Sequence, residues 1–354
     1  ARYANLDLLE AGYGINLLPL ATFALTYYQD DPCECFKIKG GNTLNPAETV
    51  LNMKMHKAIS VIQFKLEGQL LIRRKEFHMA DRALLDDINY EEGTIRLYGK
   101  EYNLLDHVFP TVDPENPYEL SKEEEEVMER LVSAFANCEK LQRHMQLLLK
   151  KGSLYKVYNN NLLYHGCVPL NEDGSFKEVE VYGRTYKGRE LYDVLEAYVR
   201  KAFFALDKEE KQRGRDILWF IWSSPSSPLF GKDKMATFER YFLAEKETHV
   251  ENKNPYYRLL EDESVVDNIF REFGIEGDCC HIINGHVPVH HTSGESPIKC
   301  GGKVLVIDGG FSKAYQKETG IAGYTLIYNS WGMILAAHEP FTSAEDAILS
   351  LIHI

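Results

Sequence analysis

No apolar run in this chain approaches the roughly 18 residues that a membrane-spanning helix needs, which predicts a soluble protein with no membrane partner. Cysteine is sparse and odd in number, seven in 354 residues. No secretory signal precedes them, so a disulfide framework is not expected, and a reducing, cytoplasmic setting with seven free thiols is. Cys33-x-Cys35 and the adjacent pair Cys279-Cys280 lack zinc-site spacing. Basic charge is in deficit, 40 Lys+Arg against 53 Asp+Glu for a net charge of -13. That balance argues against nucleic acid or an anionic lipid surface as a partner, though not against a local basic pocket. Also missing are the Gly-x-Ser-x-Gly elbow of serine hydrolases, the His-Glu-x-x-His helix of zincins and the Gly-x-Gly-x-x-Gly dinucleotide turn. Gly231-Lys232 has neither the glycine spacing nor the following Ser/Thr of a phosphate loop. There is no internal repeat and no low-complexity tract.

What is present suits an ordinary globular protein of about two domains, with 44% hydrophobic and 26% charged residues. Leu17 to Tyr28 reads as a helix interrupted early by Pro19. From Pro46 to Leu71, Met55, Ile59, Ile62 and Leu66 recur at helical spacing and predict an amphipathic helix. Three prolines between Phe109 and Pro117 mark a connector. Ser121 and Glu124 form a capping box, and the apolar face from Val127 through Leu131, Phe135, Cys138, Leu141 and Met145 to Leu148 carries that helix to about Lys150, where Gly152 ends it. The acidic run Glu123 to Glu126 lies in its first turn, so it is read as helix electrostatics rather than as a metal site.

After Gly152 short apolar segments punctuated by Asn and Gly predict strands at 154–158, 162–165, 217–222, 281–284, 303–307, 324–328 and 332–337, with helices at 192–206 and 235–243. The expectation is an α+β fold with a mostly helical segment over 1–150 and a β-rich part over 151–348. At the ends, Ala1-Arg2-Tyr3-Ala4-Asn5 has no initiator Met, as if reading begins inside a domain. The tail 349–354 resembles the one-frame translation of a transposon end used in sequencing libraries, an ordinary apolar turn being the other reading.

Two patterns share one grammar, an apolar strand running into a His beside a Gly: Leu162-Leu163-Tyr164-His165-Gly166 and Ile282-Ile283-Asn284-Gly285-His286. A strand-end imidazole at a sheet rim can hold a ligand or a first-row metal, or can simply be a hydrogen-bonded rim residue. The loop Ser227-Pro228-Leu229-Phe230-Gly231-Lys232-Asp233-Lys234 puts cations before a helix that carries Arg240, which suits a phosphate or a solvated capping loop equally. Ile307-Asp308-Gly309-Gly310-Phe311-Ser312-Lys313 repeats the theme of a strand opening into a glycine loop with a cation, and a tight turn explains its glycines as well.

The run from Ser227 to Phe341 resembles the class III, Firmicutes-type fructose-1,6-bisphosphatases. It does so through Ser-Pro-Leu-Phe-Gly-Lys-Asp-Lys-Met-Ala-Thr-Phe-Glu-Arg-Tyr-Phe (227–242), His-Ile-Ile-Asn-Gly-His-Val-Pro-Val (281–289) and Val-Ile-Asp-Gly-Gly-Phe-Ser-Lys-Ala-Tyr-Gln (306–316), and Tyr13 to Ala21 and Asn161 to Cys167 extend the likeness over nearly the whole chain. That family looks like a branch of the calcineurin-like metallophosphoesterases. The resemblance implies the C-terminal part of a β-sandwich with two metal ions at its strand ends. His165 matches the single-His motif of that superfamily and His286 its Gly-His motif, while the three earlier metal motifs are absent. Pro288 stands where some branches add a further His, as in the protein serine/threonine phosphatases, whose two late histidines bind one ion. The implied reaction is hydrolysis of the 1-phosphate of fructose 1,6-bisphosphate, a gluconeogenic step. Two divalent ions, expected to be Mn²⁺, would clamp the phosphoryl oxygens and activate water. Lys232, Lys234, Arg240 and Lys313 are the candidates for the sugar phosphates. With no carboxylate ligand and no general acid assigned, this chain alone is expected to be an inactive fragment. Two other readings stay open: a phosphoesterase acting on another phosphate ester, and a non-catalytic binding module.

Overall fold

In a computed structural model of the chain, residues 2, 3, 5–39, 44–309, 319–321, 323–338, 343–345 and 348 are described. The tail 349–354 lies outside them. Two compact units emerge: Ala1–Gly152 with Met235–Glu251, and Ser153–Lys234 with Asn252–Ile354. The β-rich part expected over 151–348 is therefore not continuous, because 235–251 belongs to the first unit. Among the described residues no helix is long and apolar enough to cross a membrane.

The first unit is built around one long helix. After α1 (Asp7–Tyr13) and α2 (Leu18–Tyr27), α3 runs over Pro46–Arg73. Asn45 starts it: its side chain accepts the Glu48 N–H at 2.9 Å, the Glu48 carboxylate accepts the Asn45 N–H at 2.9 Å, and Pro46 occupies the first turn. The amphipathic expectation fails here, because Lys54, Met55, His56, Lys57 and Ala58 are buried in succession. Five consecutive residues circle the whole helix, so the middle of α3 is covered on every side, while Val50 and Ile72 near its ends are exposed. Its lysines are buried because each reaches a fixed oxygen partner. Lys54 donates to the carbonyls of Tyr28, Gln29 and Asp31; Lys57 pairs with Asp31 and Asp106; Lys65 donates to the Thr111 carbonyl and, at 2.6 Å, to Glu124.

A three-stranded antiparallel sheet follows, β1 (Ile88–Asn89), β2 (Thr94–Leu97) and β3 (Lys100–Asn103). Then comes not one helix but two, α4 (Lys122–Asn137) and α5 (Glu139–Lys151). Cys138 between them is extended, its thiol donating to the Tyr13 carbonyl at 3.1 Å. The apolar spacing runs unbroken across that point, so periodicity alone could not locate the break.

The second unit opens with β4 (Tyr155–Tyr158), β5 (Asn161–Tyr164) and the hairpin β6 (Val179–Val181) and β7 (Arg184–Tyr186). Two helices come next, α6 (Gly188–Phe204) and α7 (Lys208–Ser223). Ile217 to Trp222, expected as a strand, is the last part of α7. Asp207 caps that helix by accepting the Glu210 N–H at 2.8 Å, and Ile217, Phe220 and Ile221 form a buried stripe at helical spacing. The helices approach so closely that a Cβ on Gly214 would lie 2.3 Å from the Ala202 amide nitrogen.

Then α8 (Thr237–Phe242) crosses to the first unit, where Phe238 and Phe242 join the core around Phe36, Phe64 and Phe109. Glu239, fully buried, holds Arg82 through two bonds at 2.7 and 3.0 Å. His56 donates to or accepts from the Tyr241 hydroxyl at 3.0 Å, and burial, with the nearby Arg2 charge adding to it, lowers its pKa from 6.5 to about 4. Between those values the unfolded chain binds the proton and the folded chain does not, so stability is complete above pH 6.5 and falls as pH drops toward 4. Between pH 7 and pH 4.5, urea unfolding is expected to show a stability loss that is smaller in a His56→Gln variant than in the parent by about 2–3 kcal/mol.

Back in the second unit, α9 (Tyr256–Leu259) and α10 (Glu263–Glu272) lead to β8 (His281–Asn284), β9 (Ile298–Lys299), β10 (Val304–Val306) and a hairpin of β11 (Gly323–Asn329) and β12 (Gly332–His338). The main sheet has the order β4-β5-β8-β10-β9. Its three central strands are parallel, Leu162 opposite Ile282 and Ile282 opposite Val304, while β4 and β9 are antiparallel edges. Leu162, Ile282 and Val304 are wholly buried, as strands covered on both faces demand. The result is the expected α+β class, with more helix in its second half than expected.

Candidate functional site

Parallel strands leave all their carboxyl ends on one edge, and that edge is where ligands bind in open sheets of this kind. Here β5 ends into His165, β8 into His286 and β10 into Asp308. The two imidazoles meet: His165 Nε2 and His286 Nδ1 are 3.0 Å apart, with ring centroids 4.8 Å apart. His286 Nε2 lies 2.8 Å from the Phe230 carbonyl oxygen. A carbonyl can only accept, so Nε2 carries the proton and the Nδ1 lone pair of a neutral His286 faces His165.

The backbone around the pair is tightly tied. Gly285 N–H donates to the His165 carbonyl at 2.9 Å, and the Asn284 amide donates to the Gly166 carbonyl at 3.0 Å and to the Tyr256 hydroxyl at 2.9 Å. Gly166 is required sterically, since a Cβ there would lie 2.5 Å from the Pro228 carbonyl oxygen. That contact seats the 227–230 loop, whose Phe230 carbonyl in turn orients His286. His286 itself adopts φ +69°, a left-handed conformation that costs a side-chain-bearing residue on the order of 1 kcal/mol or more and that clusters at functional sites.

Electrostatics keep both rings neutral. Desolvation lowers the pKa of His165 against the opposing charge of Asp308. Desolvation also lowers that of His286, helped by His165 and Lys232 and opposed by the Phe230 hydrogen bond and Asp308. Neutral imidazoles, one held by a backbone carbonyl, are the form a metal ion needs. The donor chemistry therefore fits one ion between His165 and His286. Two nitrogens are a partial ligand set, for among the described residues no group of three or more His, Cys, Asp or Glu side chains is placed to hold a metal.

A cavity of about 590 Å³ opens at this edge, its lining including His165, His286, Asp308, Asn284, Leu229 and Lys156. Lys232 and Lys234 are not among its lining residues, although the Lys232 charge reaches His286. Arg240 belongs to the first unit, where it pairs with Glu251 at 3.2 Å. Lys313 lies outside the described residues. Asp308 and Lys156 escaped the sequence reading. Asp308 follows an apolar strand just as the two histidines do, but the glycines after it drew the reading toward a turn; Lys156 carries no local signal at all.

The described residues thus define an α+β protein with a paired-imidazole site at the carboxyl ends of parallel strands. The whole sequence, residues 1–354, matches the family described as Firmicute fructose-1,6-bisphosphatase, and the chain belongs to that family. It is 59% identical over 350 residues to the fructose-1,6-bisphosphatase class 3 of Clostridioides difficile (strain 630), an alignment covering 98% of this chain and 53% of that protein. The protein of the same name from Clostridium botulinum (strain Kyoto / Type A2) is 58% identical, with 98% and 52% covered. The chain therefore spans about half the length of the curated relatives it matches. No solved structure matches it.

Proposed function

We propose that this chain is the part of a fructose-1,6-bisphosphatase that supplies two imidazole ligands to one ion of a metal centre, and that the full-length enzyme hydrolyses the 1-phosphate of fructose 1,6-bisphosphate to give fructose 6-phosphate and phosphate. The observation that carries the reading is the 3.0 Å approach of His165 and His286 at adjacent parallel strand ends, in a chain whose relatives bear that name. The sheet then corresponds to the C-terminal part of a calcineurin-like metallophosphoesterase sandwich. The seven cysteines are all free, which supports a reducing cytoplasmic setting.

His165 and His286 would hold the ion, Mn²⁺ in this reading. When bound, the metal pair supplies Lewis-acid activation of the phosphoryl group and of the attacking water. The chain's own residues do the positioning. Phe230 fixes the tautomer of His286 through its carbonyl, and Asn284 ties the two histidine loops together. Asp308 adds the one carboxylate among the described residues of the cavity lining and favours a bound cation.

Two neutral imidazoles and one carboxylate do not offset the charge of two divalent ions, so the chain alone is expected to be inactive. Expressed by itself, it is expected to show no stoichiometric binding of two Mn²⁺ by calorimetry and no phosphate release from fructose 1,6-bisphosphate. A full-length protein carrying this sequence in place of the corresponding half of the C. difficile relative is expected to release phosphate. Turnover by the chain alone on the order of 1 s⁻¹ or more would overturn the inactive-fragment reading, and a full-length protein without activity on this substrate would overturn the reading of the reaction.

A further inference from the structure

We propose that Lys156 holds the substrate phosphate that is not hydrolysed; the inference rests on the hydrolysis reading above and names a residue for it. Lys156 lies on the edge strand β4, in register with Leu163 of β5, which is in turn opposite Ile283 of β8. Side chains alternate along a strand, so Leu163 and the residue two further on, His165, project to one face, and Lys156 shares that face. All four residues line the same cavity.

Charge along this edge is ordered. Reading across the sheet from β4 to β10, the cavity meets a lysine, then an imidazole, a second imidazole and a carboxylate, since Lys156, His165, His286 and Asp308 attach to successive strands. Among the described lining residues Lys156 is the single Lys or Arg, and Asp308 the single carboxylate. At about 4.8 Å per strand, the cation end stands roughly 10 Å from the strand that carries His286. A cavity of this size is in the range that encloses a small ligand. A sugar with a phosphate at each end fits such a layout: one phosphate lies over the imidazoles, and the other needs a cation at the far end.

Lys156 is exposed, and no ion pair or hydrogen bond ties its ammonium to a described residue. Its neighbours differ. Arg189 and Arg200, which share a second cavity with Lys156, are engaged with Asp193 and Glu196. Lysine acts on phosphate as a mobile point charge, and an unengaged one gives up no partner on binding.

The test compares two substrates in the full-length enzyme: fructose 1,6-bisphosphate, and fructose 1-phosphate, which keeps the reacting phosphate and lacks the other. Lys156→Ala is expected to lower the ratio of kcat/KM for the bisphosphate over the monophosphate by about tenfold to a hundredfold, chiefly through KM, as one charge-assisted phosphate contact is lost. Lys156→Arg should keep the ratio within a few-fold of the parent. A merely structural role would depress both substrates together and leave the ratio unmoved, and an unmoved ratio in Lys156→Ala overturns the proposal. A parent enzyme inactive on the bisphosphate would instead remove the hydrolysis reading itself.

Discussion

Replacing His286 with alanine in the full-length enzyme is expected to lower kcat/KM for fructose 1,6-bisphosphate on the order of 10³-fold, and replacing His165 should cost a similar amount. A metal ligand contributes through the ion's stabilisation of charge in the transition state, worth several kcal/mol, and each 1.4 kcal/mol is a factor of ten in rate. On the function proposed above, the 3.0 Å separation of their facing nitrogens suits ligands to one ion rather than to two. Removing either then disables the same ion, and the double variant should lose little more than each single one. Metal analysis of the purified variants should show the content falling by about one ion per chain. Multiplicative losses in the double variant, or undiminished metal, would separate the histidines from a shared ion.

The second large effect concerns stability. Lys65 and Glu124 are both fully buried, with the ammonium 2.6 Å from the carboxylate. Glu124 also accepts the Thr111 hydroxyl at 2.6 Å and the Ser121 N–H at 2.8 Å, so it anchors the start of α4 as well. Lys65→Met strands that carboxylate without its cation, and removing one partner of a buried pair costs about 3–5 kcal/mol. Denaturant unfolding should show that loss for the single variant. Lys65→Met with Glu124→Gln should recover most of it, because the neutral amide still accepts the Ser121 N–H and needs no counter-charge. If the single variant is as stable as the parent, the pair is not what holds α3 against α4.

What could be read from the sequence was what a short window contains. The capping box at Ser121 and Glu124 is local, and so is the grammar of an apolar strand ending in His and Gly, which marked both imidazoles and the bounds of β8. Ile217 to Trp222 misled because six apolar and aromatic residues look like a strand when the polar first half of their helix, with Asp207 as its cap, is left out of the window. The buried lysines of α3 were invisible, since their partners are 23 to 59 residues away in the chain. Lys156 and Asp308 join the site only through strand order, which brings β4 and β10 to either side of β5 and β8. No periodicity encodes that adjacency.

The crossing of Met235–Glu251 into the first unit has a consequence during synthesis. The core around Phe36, Phe64 and Phe109 is closed by Phe238, Tyr241 and Phe242, and these follow Gly152 by more than 80 residues in the chain. At about 5–20 residues per second, the ribosome makes that intervening stretch in roughly 4–16 s. Throughout that interval the residues up to Gly152 lack α8, whose aromatic side chains belong to their core. Folding in the order of translation is thus denied to this unit: it must wait, partly assembled and in need of protection from association, until a segment from beyond the first strands of its neighbour has emerged.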